Sequence, residues 1–141
     1  MAKTSGKSAF LEGALLNHTL KTAAYTVPTN IYVALLTSAP TAASVGSAIA
    51  AIEANYTGYA RVVCNAWDDA VLTEAVENTN AITFGKCTAG DDAVTHVALL
   101  DGTAGTDDDH LLYWRPLSET KNIAVNDTPS FAAGAFDITE A

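Results

Sequence analysis

Residues 94–116 restrict the possible folds more than any other stretch. Val94-Thr95-His96-Val97-Ala98-Leu99-Leu100 is an apolar run of strand length, and Asp101-Gly102 stops it. A polar loop follows, with Gly105 and three consecutive acids, Asp107, Asp108 and Asp109. Leu111-Leu112-Tyr113-Trp114-Arg115-Pro116 resumes the apolar character, and Pro116, which lacks a backbone donor, suits a strand end. Two apolar arms around a Gly-containing loop predict a β-hairpin with a long tip. The arms are near-continuous rather than alternating, which predicts cover on both faces. Each fully buried Val or Leu stabilises by roughly 1.5–3 kcal/mol, so this pair can anchor a core. The word Val33-Ala34-Leu35-Leu36 recurs as Val97-Ala98-Leu99-Leu100. One match is no repeat architecture, but it predicts two central strands with similar surroundings.

The rest of the chain reads as short strands behind one helix. Residues 1–7 suit a flexible arm. Ser8 is an N-cap, and residues 9–21 predict an amphipathic helix with Phe10/Ala14, Leu11/Leu15 and Leu16/Leu20 as neighbouring pairs. Its apolar stripe is wide, so the helix should press on the sheet or on another protein. Strands are expected at 31–37, 59–65, 71–76, 81–84, 122–125 and 129–138, the last with a bulge at Gly134. The Ala-rich stretch 41–51 reads as a loop, with a short helix at 48–53. About seven or eight short antiparallel strands and one leading helix predict a mainly β fold, a β-sandwich, with residues 8–141 as a single domain.

Charge narrows the function. The 141 residues carry a net charge of −9, split between +2 over residues 1–21 and −11 over the remainder. No basic face is visible, which argues against nucleic acid as a partner. No apolar run is long enough to cross a membrane, and residues 1–7 lack an apolar stretch close behind them that would read as an export signal. Cys64 and Cys87 have no CxxC spacing and sit in or beside apolar segments, so buried thiols are expected.

The search for chemistry finds little. Asp107 and Asp109 are candidate Ca²⁺ ligands, as carboxylates on a loop, but the spacing of a calcium loop is absent and a solvated tip is the expectation. His18, His96 and His110 are scattered and read as structural. Arg61 and Arg115 lie on strands among aromatics, as core-edge residues or interface anchors. Hydrolase, kinase, dinucleotide and metalloprotease motifs are missing, so no enzyme and no cofactor are expected.

Several segments are familiar in order. Phe10-Leu11-Glu12-Gly13-Ala14-Leu15-Leu16-Asn17-His18, then Ile31–Thr41, then Gly58-Tyr59-Ala60-Arg61 resemble small virion proteins of tailed bacteriophages. Thr95–Asp101, Leu111-Leu112-Tyr113-Trp114 and Ser130-Phe131-Ala132-Ala133-Gly134 continue the resemblance. The chain departs from it in the longer Ala-rich stretch 41–55. The resemblance implies no catalytic residues. It implies a structural protein of the virion, made in the host cytoplasm. The first expectation is a capsid decoration (cement) protein on the head exterior, bound to the major capsid protein lattice. The alternatives are a minor tail or tail-fibre component, and a carbohydrate-binding β-sandwich using the 107–109 loop and Trp114. Partner contacts are expected through Lys3, Lys7, Phe10, Leu11 and Arg61, and self-association as a homotrimer follows by analogy.

Overall fold

The computed structural model describes residues 3, 5–69 and 75–139. The protein is mainly β, with antiparallel sheets and an N-terminal helix. Strand β1 (Gly6–Lys7) leads into helix α1 (Ala9–Leu20), strand β2 (Tyr32–Leu36), helix α2 (Gly46–Ala50) and strand β3 (Val62–Val63). Short strands β4 (Ala75–Glu77) and β5 (Ile82–Thr83) precede the long pair β6 (Asp92–Leu100) and β7 (Leu111–Ile123). The chain closes with β8 (Ser130–Phe131) and β9 (Asp137–Thr139).

One five-stranded sheet, ordered β1-β7-β6-β2-β3, forms a continuous layer. The second layer is fragmented into two ladders, β4 with β9 and β5 with β8. The repeated word explains the centre of the sheet. Its two copies pair with each other: Val33 faces Leu99, Ala34 faces Ala98 and Leu35 faces Val97. Side chains alternate between faces. Val33, Leu35, Val97 and Leu99 therefore join one core with Ile82, Phe84 and Phe136 from the second layer. Ala34, Leu36, Ala98 and Leu100 join another with Ile49 of α2, Leu111 and Trp114. The expected cover on both faces is what the continuous apolar runs encode.

Size matching decides the second core. Ala34, Ala98 and Trp114 form one cross-strand row, and two alanines leave room for the indole. Trp114 is 3% exposed, so it is a core residue and offers no surface platform. Cys64 and Cys87 are buried free thiols in the first core, as expected.

Several boundaries differ from the sequence reading. Residues 6–7 are not part of a free arm: they pair with Trp114 and Tyr113. Pro116 does not end β7. It pairs with His96, and among the described residues the β1 pairing reaches only to Trp114. The alternation that turns the Leu112 carbonyl outward, to accept from the Ser8 N–H at 2.8 Å, also turns the Pro116 nitrogen outward. No bond of the β6–β7 ladder is lost there. Of the strand expected at 122–125, only Asn122 and Ile123 are strand, as the end of β7, joined across a register shift between Val94 and His96. The strand expected at 129–138 divides into β8 and β9, with Gly134 at φ +77° between them. The segment expected at 71–76 lies outside the described residues except for Ala75 and Val76, which belong to β4. The short helix in the Ala-rich stretch forms earlier than expected, as α2.

Candidate interaction surface

The loop between β6 and β7 leaves Asp107 and Asp108 exposed, as expected of a solvated tip, but turns Asp109 inward. It folds down onto the body around Arg61. The guanidinium grips Glu53 with two bonds, Nε to Oε1 at 2.9 Å and Nη2 to Oε2 at 2.8 Å. Its Nη1 donates to Asp109 Oδ2 at 2.8 Å and to the Gly102 carbonyl at 2.6 Å. The Arg61 and Asp109 side chains are each 5% exposed. Asp109 also accepts from the Gly105 N–H at 2.8 Å and the Ala104 N–H at 3.3 Å. Burial works against the Arg61 charge, but hydrogen bonds and attraction from Glu53 and Asp109 outweigh it and raise its pKa above the ordinary value. Tyr59 donates to Glu53 Oε1 at 2.6 Å; burial and the Glu53 charge push its phenol pKa up.

The loop needs glycine where backbones meet it. A Cβ on Gly46 would lie 2.0 Å from the Thr106 carbonyl, and one on Gly102 would lie 2.1 Å from Asp109 Oδ1. α2 closes the other side, where the Ser47 hydroxyl and N–H both reach Asp107 Oδ1.

These contacts bear on two sets of candidate residues. Asp107 and Asp109 turn to different protein donors rather than to a shared ion position, and no group of three or more His, Cys, Asp or Glu residues able to hold a metal occurs among the described residues. Arg61 is an internal clamp, so it presents no free guanidinium to a partner. Leu11, only 5% exposed, likewise faces inward from α1, and its N–H is capped by the Ser8 hydroxyl at 3.1 Å. Glu53 was missed by sequence reasoning. Its only signal was indirect: an arginine among apolar neighbours needs an acid.

The remaining contact candidates stay on one face. Lys3 pairs with Glu12, and β1 places Lys7 just before α1. Phe10, 41% exposed, stacks on the His110 ring at 3.8 Å between centroids. His110 is fixed in turn by Asp101, whose Oδ2 lies 2.7 Å from Nδ1 and whose Oδ1 accepts the His110 N–H at 2.6 Å. A groove of about 500 Å³ runs between α1 and residues 23–29, reaching Phe10, Tyr25, Asp101 and His110. Burial, then the Asp101 charge, raises the Tyr25 pKa. His18 serves the same connection by accepting the Tyr25 N–H at 3.2 Å.

Large exposed apolar side chains concentrate here. Phe10, Leu16, Leu20 and Val27 all lie on α1 or the segment after it, with Leu20 74% and Val27 78% exposed. Exposed apolar clusters of this kind mark interaction surfaces. The α1 face is therefore the strongest candidate interaction surface. Among the described residues, no helix is long and apolar enough to cross a membrane.

Among curated proteins, none matches the chain. The family model described as podophage GP4 fiber I protein gp80 matches residues 6–139, from β1 through β9. The chain thus belongs to the podophage GP4 fiber I protein gp80 family, a family of small structural proteins of tailed-phage virions.

Proposed function

We propose that this protein is a fibre component of a podophage particle, performing no reaction and held by protein–protein contacts through the face built by β1, α1 and residues 23–29. The observation that carries this reading is the fibre family's match over nearly the whole folded chain. The arrangement of polar groups supports it. Asp107 and Asp109 of the β6–β7 loop are engaged by Ser47 and Arg61, and four large exposed apolar residues, Phe10, Leu16, Leu20 and Val27, lie on α1 or just after it. The head-decoration role expected from the sequence draws on the same structural features but lacks the family description, which names a fibre. Binding of the major capsid protein belongs to that decoration role. The carbohydrate-binding alternative loses its two supports, because Trp114 is buried and Asp109 is held by Arg61.

Stoichiometry separates fibre from decoration. Quantitative mass spectrometry of purified particles should give a copy number comparable to tail components. A copy number comparable to the major capsid protein would overturn the fibre reading and restore decoration.

A further inference from the structure

Arg115 breaks the pattern of its strand. In the β6–β7 ladder Tyr113 faces Leu99 and Arg115 faces Val97. Leu99 and Val97 point into the first core, so Tyr113 and Arg115 share that inward face. Tyr113 and Leu117 pack against the core, yet Arg115 between them is exposed. It stands where the second layer is divided. A cleft of about 610 Å³ lies between it and residues 136–139, and a cleft of about 480 Å³ between it and residues 129–131. Among the described residues, Arg115 alone lines both. The floors are apolar: Val97, Leu99 and Phe136 in the first cleft, Leu35, Val94 and Ile123 in the second.

Charge gives the clefts their character. Lys3, Lys7, Arg115 and Lys121 border them, four of the seven basic residues of a chain with net charge −9. Of the three acids there, Glu12 is held by Lys3, and Asp127 Oδ2 accepts the Ala124 N–H at 2.9 Å, which leaves Asp137. Lys121 is paired with Glu119. Arg115 has no hydrogen bond or ion pair among the described residues, whereas the chain's other arginine, Arg61, makes four hydrogen bonds.

We propose that Arg115 is the centre of a docking cleft for an extended segment of a partner protein, an acid flanked at alternate positions by apolar side chains. A guanidinium holds a carboxylate through two parallel hydrogen bonds, and apolar walls strengthen the attraction by excluding water. In an extended peptide every second side chain points the same way. A central acid on Arg115 therefore sends one apolar neighbour into each cleft. An inward charge on an edge strand also discourages pairing with other strands, but that role requires no apolar cleft on either side.

The probe is a capped pentapeptide with leucine at both ends, glutamate at the centre and serine between them. Titrated into the isotope-labelled full chain and followed by NMR, it should give saturable shifts at Arg115 and around both clefts. Its glutamine counterpart should bind at least about tenfold more weakly. Arg115→Gln, at an exposed position, should melt with the parent, lose a similar factor and no longer distinguish the two peptides. Ala135→Trp, which fills the second cleft and leaves the charge in place, should weaken binding as much. The absence of saturable shifts, equal binding of the two peptides, or affinity that survives either substitution would overturn the proposal. So would phenylacetate, which can fill only one cleft, binding as tightly as the glutamate peptide. The titration uses the isolated chain, so its failure leaves the fibre reading untouched.

Discussion

Arg61 Nη1 and Asp109 Oδ2 lie 2.8 Å apart, 48 residues apart in sequence, with both side chains almost fully withdrawn from water. This contact fastens the β6–β7 loop to the body, because Asp109 also gathers two N–H groups of its own loop. Removing one partner of a buried pair leaves the other charge uncompensated, which costs about 3–5 kcal/mol. Asp109→Ala should therefore destabilise by that amount in urea denaturation. Asp108→Ala, on an exposed neighbour, should stay within about 0.5 kcal/mol. Equal effects from the two would refute the clamp.

The loop should ignore calcium. Asp107 and Asp109 are occupied by Ser47 and Arg61. An ion bound at 100 times its dissociation constant would add about 2.7 kcal/mol. We expect the melting temperature to be the same in millimolar Ca²⁺ and in EDTA, and a rise with Ca²⁺ that Asp107→Asn abolishes would show a site there.

The indole of Trp114 gives an asymmetric prediction. Its Nε1 is buried without a hydrogen-bond partner among the described residues. An unsatisfied buried donor costs roughly 1–3 kcal/mol. Trp114→Phe removes that donor while keeping a ring over Ala34 and Ala98, so the lost volume and the relieved donor should nearly offset. Trp114→Ala keeps no such compensation and should cost about 3–5 kcal/mol. Thermal melts of the two variants check the difference.

His96 sets part of the acid response. Burial lowers its pKa below the ordinary 6.5, so the fold favours the neutral ring. Above that pH neither the folded nor the unfolded chain takes up the proton, and this residue contributes no slope. As pH falls below 6.5, the unfolded chain binds a proton that the folded chain resists, and stability drops until the folded pKa is passed. His96→Gln should flatten the stability–pH curve in that window. An unchanged slope would assign the response to the carboxylates instead.

The legible parts of the fold were those carried by local pattern. The β6–β7 hairpin, β2 and α1 follow from apolar runs and from the Ser8 cap, each within a dozen residues. What stayed hidden depends on distance in sequence. Two residues, Gly6 and Lys7, are too few for a strand period, so β1 looked like a loose arm. Pro116 reads as a stop only if its strand has a neighbour on that side, and sheet order is not written in a single strand. The Arg61–Asp109–Glu53 cluster joins three distant segments, and one of them is the Ala-rich stretch that departs from the phage-protein resemblance. That stretch supplies Ile49 to the second core, Ser47 to Asp107 and Glu53 to Arg61. Leu11 and Leu16 sit on one helix as similar residues, yet one is core and the other surface. Only the position of β7 beneath α1 tells them apart.

Position in the particle tests the central reading most directly. Gold-labelled antibody against this protein, imaged on intact virions, should decorate fibres at the tail. Label spread evenly over the capsid shell, or particles carrying none of the protein, would contradict it.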